Sequence, residues 1–201
     1  MELDKLFSHI ETTMEINRND LELSREYWKI YRFKKGEYFN EYGNICKYLG
    51  FVISGVFRTY YIDDNLLKDN NLFLYSKNDF VTAYRSLITQ TPCIYYTQSL
   101  TESTILYIHI NDLRKLFDIS KGWERIGRMI AEESFNKLLY RTENLLLLKA
   151  EDRYTEFLEK YPTLPEQIPQ YHIASFLGLE NSSLSRIKKR LKNTELVDFG
   201  Q

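Results

Sequence analysis

The chain is poor in the residues that staple small proteins or build metal centres. Its 201 residues include only 2 cysteines and 3 histidines. Cys46 and Cys93 lie far apart in the sequence, which argues against a disulfide scaffold or an iron–sulfur cluster and fits a reducing cytoplasm. His9, His109 and His172 lie on separate predicted elements and are expected to be structural, so no cofactor is predicted.

Long apolar runs and net positive charge are missing as well. No apolar run is long enough to span a bilayer, and the N-terminus lacks a signal-peptide profile, so we expect a cytoplasmic location and no membrane partner. Lysine and arginine number 27 against 28 aspartates and glutamates, which gives a formal net charge of -1. Nucleic acid would therefore have to bind a local patch. Residues 184–193 supply one, because they contain lysine and arginine but no acidic residue.

This basic stretch completes a helix-turn-helix pattern over residues 170–193. Ile173, Ala174 and Leu177 put an apolar face on a short helix, and Gly178 ends it because glycine turns there without a Cβ clash. The second helix opens on residues that favour N-terminal caps, namely Asn181, Ser182 and Ser183. In DNA-binding proteins such a second helix enters the major groove. The alternative is an ordinary helical hairpin with a solvated basic face.

The rest of the chain divides into helical and strand-like regions. Residues 1–30 and 112–160 have apolar residues at helical spacing. Between residues 31 and 110, short runs rich in aromatic and β-branched residues alternate with turn residues, which predicts an antiparallel roll or barrel. Its predicted corners are Lys35-Gly36, Tyr42-Gly43, Ser54-Gly55 and Asn78-Asp79. A segment with prolines at positions 162, 165 and 169 is predicted to link the helices to the helix-turn-helix.

A heptad-like stripe runs along the longest predicted helix. The positions expected at a dimer interface are Ala131, Ser134, Leu138 and Leu145, and Arg141 interrupts the stripe. The alternative is a single helix packed only on its own domain. The two-fold symmetry of many helix-turn-helix proteins on DNA favours a homodimer.

This order of elements resembles the Crp/Fnr family of bacterial transcription regulators across nearly the whole chain. The motifs that carry the resemblance are residues 33–37, 53–58, 78–81, 150–154 and 172–191. The sequence pattern is most similar to that of Bacteroidetes-type variants of the family. The resemblance implies an α+β fold with an N-terminal antiparallel β-roll of double-stranded β-helix (jelly-roll) type and flanking helices. It implies a sensor roll over residues 1–118, a dimerisation helix over 119–149 and a helix-turn-helix domain over 150–201. The chain has room for one strand after Leu196, so we expect a truncated wing.

The resemblance also implies the contacts to DNA. Asn181, Ser182 and Arg186 match the base-contacting positions of the family, and Arg186 can pair bidentately with guanine. The residues expected to position the phosphate backbone are Gln170, Tyr171, Ser183, Ser185, Lys188 and Lys189. The partners implied are a pseudo-palindromic duplex, a second copy of the chain and RNA polymerase.

The founding member of the family binds cyclic AMP inside its roll, and the matching positions of this chain have lost that chemistry. A Gly-Glu pair becomes Thr82-Ala83, an Arg-Ser pair becomes Pro92-Cys93, and a Thr-Ser pair becomes Leu138-Leu139. A buried phosphate without its cation is costly, so cyclic AMP is not expected. The cavity would suit a hydrophobic or weakly polar ligand, or none. The candidate pocket residues are Tyr75, Phe80, Thr82, Ala83, Tyr84, Arg85, Pro92, Cys93, Leu138 and Leu139.

Two pocket residues and the function as a whole have open alternatives. Arg85 could bind another anion or be an ordinary surface residue, and Cys93 could be a thiol sensor or a plain buried cysteine. The chain is expected not to be an enzyme. A cupin-like metalloenzyme would need several barrel histidines, whereas His109 alone lies in the strand region. A protein-interaction module with a helical tail is the third reading.

Overall fold

The computed structural model describes residues 2–63 and 68–198, with the backbone alone described at residues 192 and 194–198. Two short helices lead the chain, α1 (Glu2–Met14) and α2 (Arg18–Glu22), followed by a 3-10 turn at Arg25–Tyr27. The α1 residues Leu6, Phe7 and Ile10 are fully buried, because they recur on one face at helical spacing. Helix was predicted over residues 1–30, and the structure has two short helices and the 3-10 turn within that range.

Among the described residues, eight strands form the roll as two four-stranded antiparallel sheets. The strands are β1 (Lys29–Phe33), β2 (Tyr38–Asn40), β3 (Tyr48–Ser54), β4 (Phe57–Asp63), β5 (Lys68–Tyr75), β6 (Phe80–Val81), β7 (Tyr96–Ser99) and β8 (Ser103–His109). One sheet has the order β1-β8-β3-β6 and the other β2-β7-β4-β5. Side chains from both sheets, among them Phe33, Val52, Phe57 and Ile105, pack between them as a core. The predicted antiparallel roll is confirmed.

The predicted corners of the roll have left-handed backbone. Gly36, Gly43, Gly55 and Asn78 have φ values of 90°, 79°, 91° and 74°. At Gly55 a Cβ atom would lie 2.0 Å from the Ser103 hydroxyl oxygen. That corner therefore requires glycine for space as well as for conformation.

The remaining regular elements of the described residues are helices. They are α3 (Tyr84–Thr89), α4 (Ile110–Ile119), α5 (Lys121–Leu147), α6 (Ala150–Lys160), α7 (Leu164–Gln167), α8 (Gln170–Phe176) and α9 (Asn181–Asp198). The Ser120 side chain accepts a hydrogen bond from the Trp123 backbone and caps α5. The predicted proline linker contains a single helical turn, α7. Within the described residues, no helix has the length and apolarity that a membrane span requires.

The helix-turn-helix consists of α8 and α9. Gly178 has φ 67° between them, and the Leu179 backbone donates to the Ala174 carbonyl at 2.9 Å. Leu184 and Ile187 of α9 pack into a core with the helices before it. The backbone of α9 continues as helix through Asp198, so the strand expected after Leu196 is not found over residues 196–198. The remainder of that expected strand falls on residues 199–201, outside the described residues.

Candidate DNA-binding surface and ligand cavity

The first helix of the helix-turn-helix, α8, is anchored on strand β5 of the roll. The Asn71 backbone donates to the Ser175 hydroxyl at 2.9 Å, and that hydroxyl donates to the Asp69 carbonyl at 3.0 Å. The Asn71 side chain donates to the His172 carbonyl at 2.9 Å. Asn71 is fully buried, so its side-chain bond to the His172 carbonyl forms away from water, and the three bonds together fix the position of α8.

A buried arginine extends this anchor. The Arg58 guanidinium contacts Gln98 and Asp69 at 2.8 Å each, the Asn71 side-chain oxygen at 3.3 Å and the His172 Nδ1 atom at 3.4 Å. Burial, followed by the charge of Arg58, lowers the pKa of His172 to about 4 from its ordinary 6.5. His172 is therefore neutral at physiological pH while α8 is docked.

The second helix, α9, presents the predicted DNA-contacting side chains on its outer face. Those that are exposed are Tyr171 on α8 and Asn181, Ser182, Ser185, Arg186 and Lys189 on α9, whereas Gln170, Ser183 and Lys188 are half-buried. The Gln170 side chain donates to the Asn181 side-chain oxygen at 3.0 Å and to the Ser185 hydroxyl at 2.8 Å. These bonds tie the start of α8 to the start of α9. Arg186 contacts only its own helix, at the Ser182 carbonyl, among its described hydrogen bonds.

A cavity of about 550 Å³ lies between the roll and α5. Nine of the ten predicted pocket residues line it: Tyr75, Phe80, Thr82, Ala83, Tyr84, Arg85, Pro92, Cys93 and Leu138. The tenth, Leu139, is not among the lining residues and is 42% exposed. Apolar side chains that the pocket prediction omitted, including Ile130 and Phe135 of α5, complete the wall.

Three of the hydroxyl groups in the cavity wall already donate to the protein backbone. Thr82 donates to the Tyr48 carbonyl, Ser86 to the Thr91 carbonyl and Ser134 to the Ile130 carbonyl, at 2.9, 2.6 and 2.8 Å. Burial raises the pKa of the Cys93 thiol, which favours the plain buried cysteine over the thiol sensor. These three hydroxyls are therefore not free to donate to a polar ligand.

The cations around the cavity differ in their pairing. Lys137 contacts Asp79 at 2.6 Å and Glu133 at 2.7 Å. Burial alone would lower its pKa, but the two carboxylates outweigh burial and raise it. Arg85 is exposed at the rim. Arg141 donates to the Asn71 carbonyl at 2.8 Å, and its Nε atom is buried without a partner among the described residues.

The predicted dimer stripe on α5 lies largely against its own chain. Ala131 and Ser134 line the cavity, and Leu145 lies so close to the helix-turn-helix turn that a Cβ atom on Gly178 would be 2.8 Å from it. Leu138 remains exposed. The apolar side chains that α5 exposes to solvent are Phe135, Leu138, Leu139, Leu146 and Leu147, at 63%, 50%, 42%, 77% and 78% exposure.

The three histidines are separated, as the sequence predicts. His9 packs against the Phe51 ring, His109 caps α4 through the Asn111 backbone, and His172 lies in the α8 anchor. Among residues 2–63 and 68–198, no group of histidine, cysteine and carboxylate side chains is arranged to hold a metal ion.

Neither a protein-family model nor a curated protein sequence matches this chain, but solved structures do. FixK2 from Bradyrhizobium japonicum has a TM-score of 0.75 at 15% identity, covering 84% of this chain and 86% of that one. The c-di-GMP responsive global regulator CLP from Xanthomonas campestris has a TM-score of 0.66 at 20% identity, covering 90% and 94%. A protein from Eubacterium rectale described as a crp/fnr-family transcriptional regulator has a TM-score of 0.68 at 15% identity, covering 93% and 88%.

These likenesses define the class of fold. The chain has the fold of the Crp/Fnr-type regulators, with a β-roll of the cyclic-nucleotide-binding type, a long helix and a helix-turn-helix. The α+β fold predicted from the sequence is confirmed.

Sequence reasoning missed the groups that connect the roll with the helix-turn-helix. Arg58 stands within a motif that was assigned to a roll corner, and Asn71 lies in a run of asparagines and charged residues that gave no pattern. Asn71 and His172 are 101 positions apart, so no local periodicity links them. A charged residue flanked by the apolar and aromatic residues of a predicted strand was the available signal for Arg58.

Proposed function

We propose that this protein is a sequence-specific DNA-binding transcription regulator of the Crp/Fnr type, that it acts as a cytoplasmic homodimer, and that it is not an enzyme. The observation that carries the proposal is the helix-turn-helix itself, in which α8 is anchored and the polar and basic outer face of α9 is exposed. A helix presented in this way fits the major groove. The partners are a pseudo-palindromic operator and, during transcription, RNA polymerase.

Within this proposal, Asn181, Ser182 and Arg186 contact bases. The phosphate contacts are assigned to Gln170, Tyr171, Ser183, Ser185, Lys188 and Lys189. Gln170 holds the Asn181 and Ser185 side chains together, and we therefore expect it to orient the start of α9 on the duplex. Residues 1–118, 119–149 and 150–201 act as sensor, dimerisation helix and DNA-binding domain.

The test begins with selection of duplexes that the purified protein retains from a random pool. Replacing Arg186 with alanine is expected to cost about 1–3 kcal/mol of binding to the selected site and to relax one base pair in each half-site. Fluorescence anisotropy on single-base variants of the site measures both effects. Equal weakening on selected and random duplexes would remove Arg186 from base reading.

The dimer interface is proposed on the exposed apolar side of α5, where a second copy would cover Phe135, Leu138, Leu139 and Leu146. A glutamate at Leu139 would become a buried, unpaired charge in that interface. Sedimentation velocity should then show monomers, and operator affinity should collapse because one half-site supplies only part of the contacts. Asn136→Glu, at the polar edge of the same helix, is the matched control. A Leu139→Glu protein that stays dimeric would exclude this face.

The cavity between the roll and α5 is proposed as the site of an effector other than a cyclic nucleotide. Three of its wall hydroxyls donate to backbone carbonyls, and the Thr82-Ala83 and Pro92-Cys93 positions carry no charge for ribose or phosphate. A ligand at 100 times its Kd would stabilise the fold by about 2.7 kcal/mol. Melting curves with excess cyclic AMP or cyclic GMP are therefore expected to show no shift, and micromolar calorimetric binding of either would overturn this point.

The two alternative functions make different predictions. A cupin-like metalloenzyme should retain metal after purification without added metal. A protein-interaction module should bind its partner with little salt dependence, whereas phosphate contacts give a steep fall of affinity with ionic strength.

A further inference from the structure

We propose that the cavity binds an amphipathic monocarboxylate with a medium-length apolar chain, and that Arg141 holds the carboxylate. This inference rests on the proposed effector role of the cavity and names the chemistry of its occupant.

The walls of the cavity favour an apolar body. Tyr75 and Phe80 of the roll lie on one side, and Ile130 and Leu138 of α5 lie on the other. A volume of about 550 Å³ is in the usual range of small-molecule sites, roughly 300–1,000 Å³. Because the Thr82, Ser86 and Ser134 hydroxyls already donate to backbone carbonyls, a ligand rich in hydroxyl groups would find fewer partners there than in water.

The charges around the cavity favour a single negative charge on the ligand. Lys137 is neutralised by Asp79 and Glu133, and Arg85 lies exposed at the rim. Arg141 is the remaining cation of these three, and no carboxylate among the described residues forms an ion pair with it. Burial lowers the pKa of the Arg141 guanidinium, and the charge of Tyr61 opposes this effect only in part. A second negative charge on the ligand would lie near Glu133, which also lines the cavity.

The geometry of Arg141 fits a carboxylate. A guanidinium offers five N–H donors in a planar fork that matches the two oxygens of a carboxylate. One donor reaches the Asn71 carbonyl at 2.8 Å, and the buried Nε has no partner among the described residues. An incoming carboxylate would supply that partner and the missing counter-charge, both of which stabilise a buried cation.

The same arginine connects the cavity with the helix-turn-helix. Its guanidinium lies 5.6 Å from the centre of the Phe176 ring at the end of α8. Asn71, which accepts from Arg141, also holds α8 through the His172 carbonyl and Ser175. A ligand that binds Arg141 therefore acts on Asn71, the residue that supports α8. We expect the DNA affinity of the liganded protein to differ from that of the ligand-free protein.

The experiment compares decanoate with decan-1-ol by calorimetry on the full-length protein. The two probes share a ten-carbon chain and differ in charge. We expect decanoate to bind about 10- to 100-fold more tightly, the usual effect of a charge-assisted hydrogen bond. Arg141→Gln should remove that preference and leave decanol affinity unchanged. Arg85→Gln, at the rim, is the matched control and should keep the preference.

Ala131→Phe tests the location, because Ala131 is half-buried and lines the cavity. The larger side chain should abolish binding of both probes in a protein that urea unfolding shows to be folded. Equal affinity of wild type for acid and alcohol would overturn the inference, as would a preference that survives Arg141→Gln or is lost in Arg85→Gln. Binding of either probe to Ala131→Phe would place the ligand outside the cavity and would also overturn it.

Anisotropy titrations of the selected operator, with and without decanoate, separate this inference from the proposed function. Loss of DNA binding in both states would overturn the proposed function and leave the calorimetric result standing. Loss of the difference between acid and alcohol would overturn the inference and leave DNA binding standing. Operator affinity that is unchanged by bound decanoate would overturn the coupling through Asn71.

Discussion

The two helices of the helix-turn-helix have opposite surroundings. α8 is fixed to strand β5 by hydrogen bonds to the His172 carbonyl and the Ser175 hydroxyl. α9 buries only one side, through Leu184 and Ile187, and leaves Arg186 and Lys189 exposed. One helix of the motif is held by the roll, and the other is left free to meet a partner.

This difference assigns separate tasks to two helices that both look like short amphipathic segments. The position of α8, and with it the direction of α9, depends on polar groups of the roll. A change in the roll can therefore reach α9 through a few hydrogen bonds. It does not require α8 or α9 to unfold.

Among the residues that anchor α8, replacement of Arg58 should lower the free energy of unfolding most. Arg58→Ala leaves Gln98, Asn71 and Asp69 without their cationic partner, and the first two lie in or beside the buried interface. We expect the free energy of unfolding to fall by about 2–4 kcal/mol in urea titrations. Arg85→Ala, which removes an exposed arginine, should change it by no more than about 0.5 kcal/mol. Similar losses in the two variants would mean that the Arg58 network contributes little to docking.

Acid should weaken the same anchor through His172. Because docking lowers its pKa to about 4 from 6.5, the folded state binds fewer protons than the unfolded state between those values. Stability therefore rises with pH across this window and is lost as pH falls through it. Acidification from pH 7 to pH 5 should remove about 2 kcal/mol. His172→Asn should lose this part of the pH dependence, whereas the contribution of His9, whose pKa burial also lowers, remains in both proteins. Parallel pH profiles for the two proteins would contradict the prediction.

Removing a charge from the exposed helix α9 should change the salt dependence of DNA binding and leave the free energy of unfolding unchanged. Lys189→Ala is expected to weaken binding to all duplexes alike and to reduce the salt slope of log Kd by about one unit, with little change in unfolding. Lys121→Ala is the control. That exposed lysine starts the 27-residue α5, and the length of this helix, roughly 40 Å, separates it from the helix-turn-helix. A slope equal to that of wild type would place Lys189 away from the phosphates.

Prediction from the sequence succeeded where the signal is local. The roll corners depend on left-handed backbone at glycine or asparagine, and the helix-turn-helix depends on Gly178 and the capping residues after it. The strands were located by their aromatic and β-branched residues, although their ends differ by a few positions. The candidate pocket came from alignment with a familiar order of motifs, and most of its residues line one cavity.

Periodicity is less informative where a helix has more than one apolar side. Ala131 and Ser134 of the predicted dimer stripe line the cavity, and Arg141 within the stripe reaches Asn71, while the dimer interface itself stays a prediction. Periodicity identifies which residues share a face of a helix, but it cannot say which neighbour covers that face. The strand expected after Leu196 failed for a similar reason, since residues 196–198 continue α9 and apolar spacing there fits either structure.

The sequence by itself determined the order of elements, the turns, and the basic outer face of α9, because each follows from the conformational preferences or charge of neighbouring residues. Only the tertiary structure decided which groups connect the β-roll to the helix-turn-helix. Arg58, Asn71 and His172 become partners through folding across 101 or more residues between roll and helix. Arg141 of α5 becomes half-buried where its guanidinium donates to the Asn71 carbonyl. These interactions depend on burial and long-range hydrogen bonding, and neither can be predicted from a short segment of the chain.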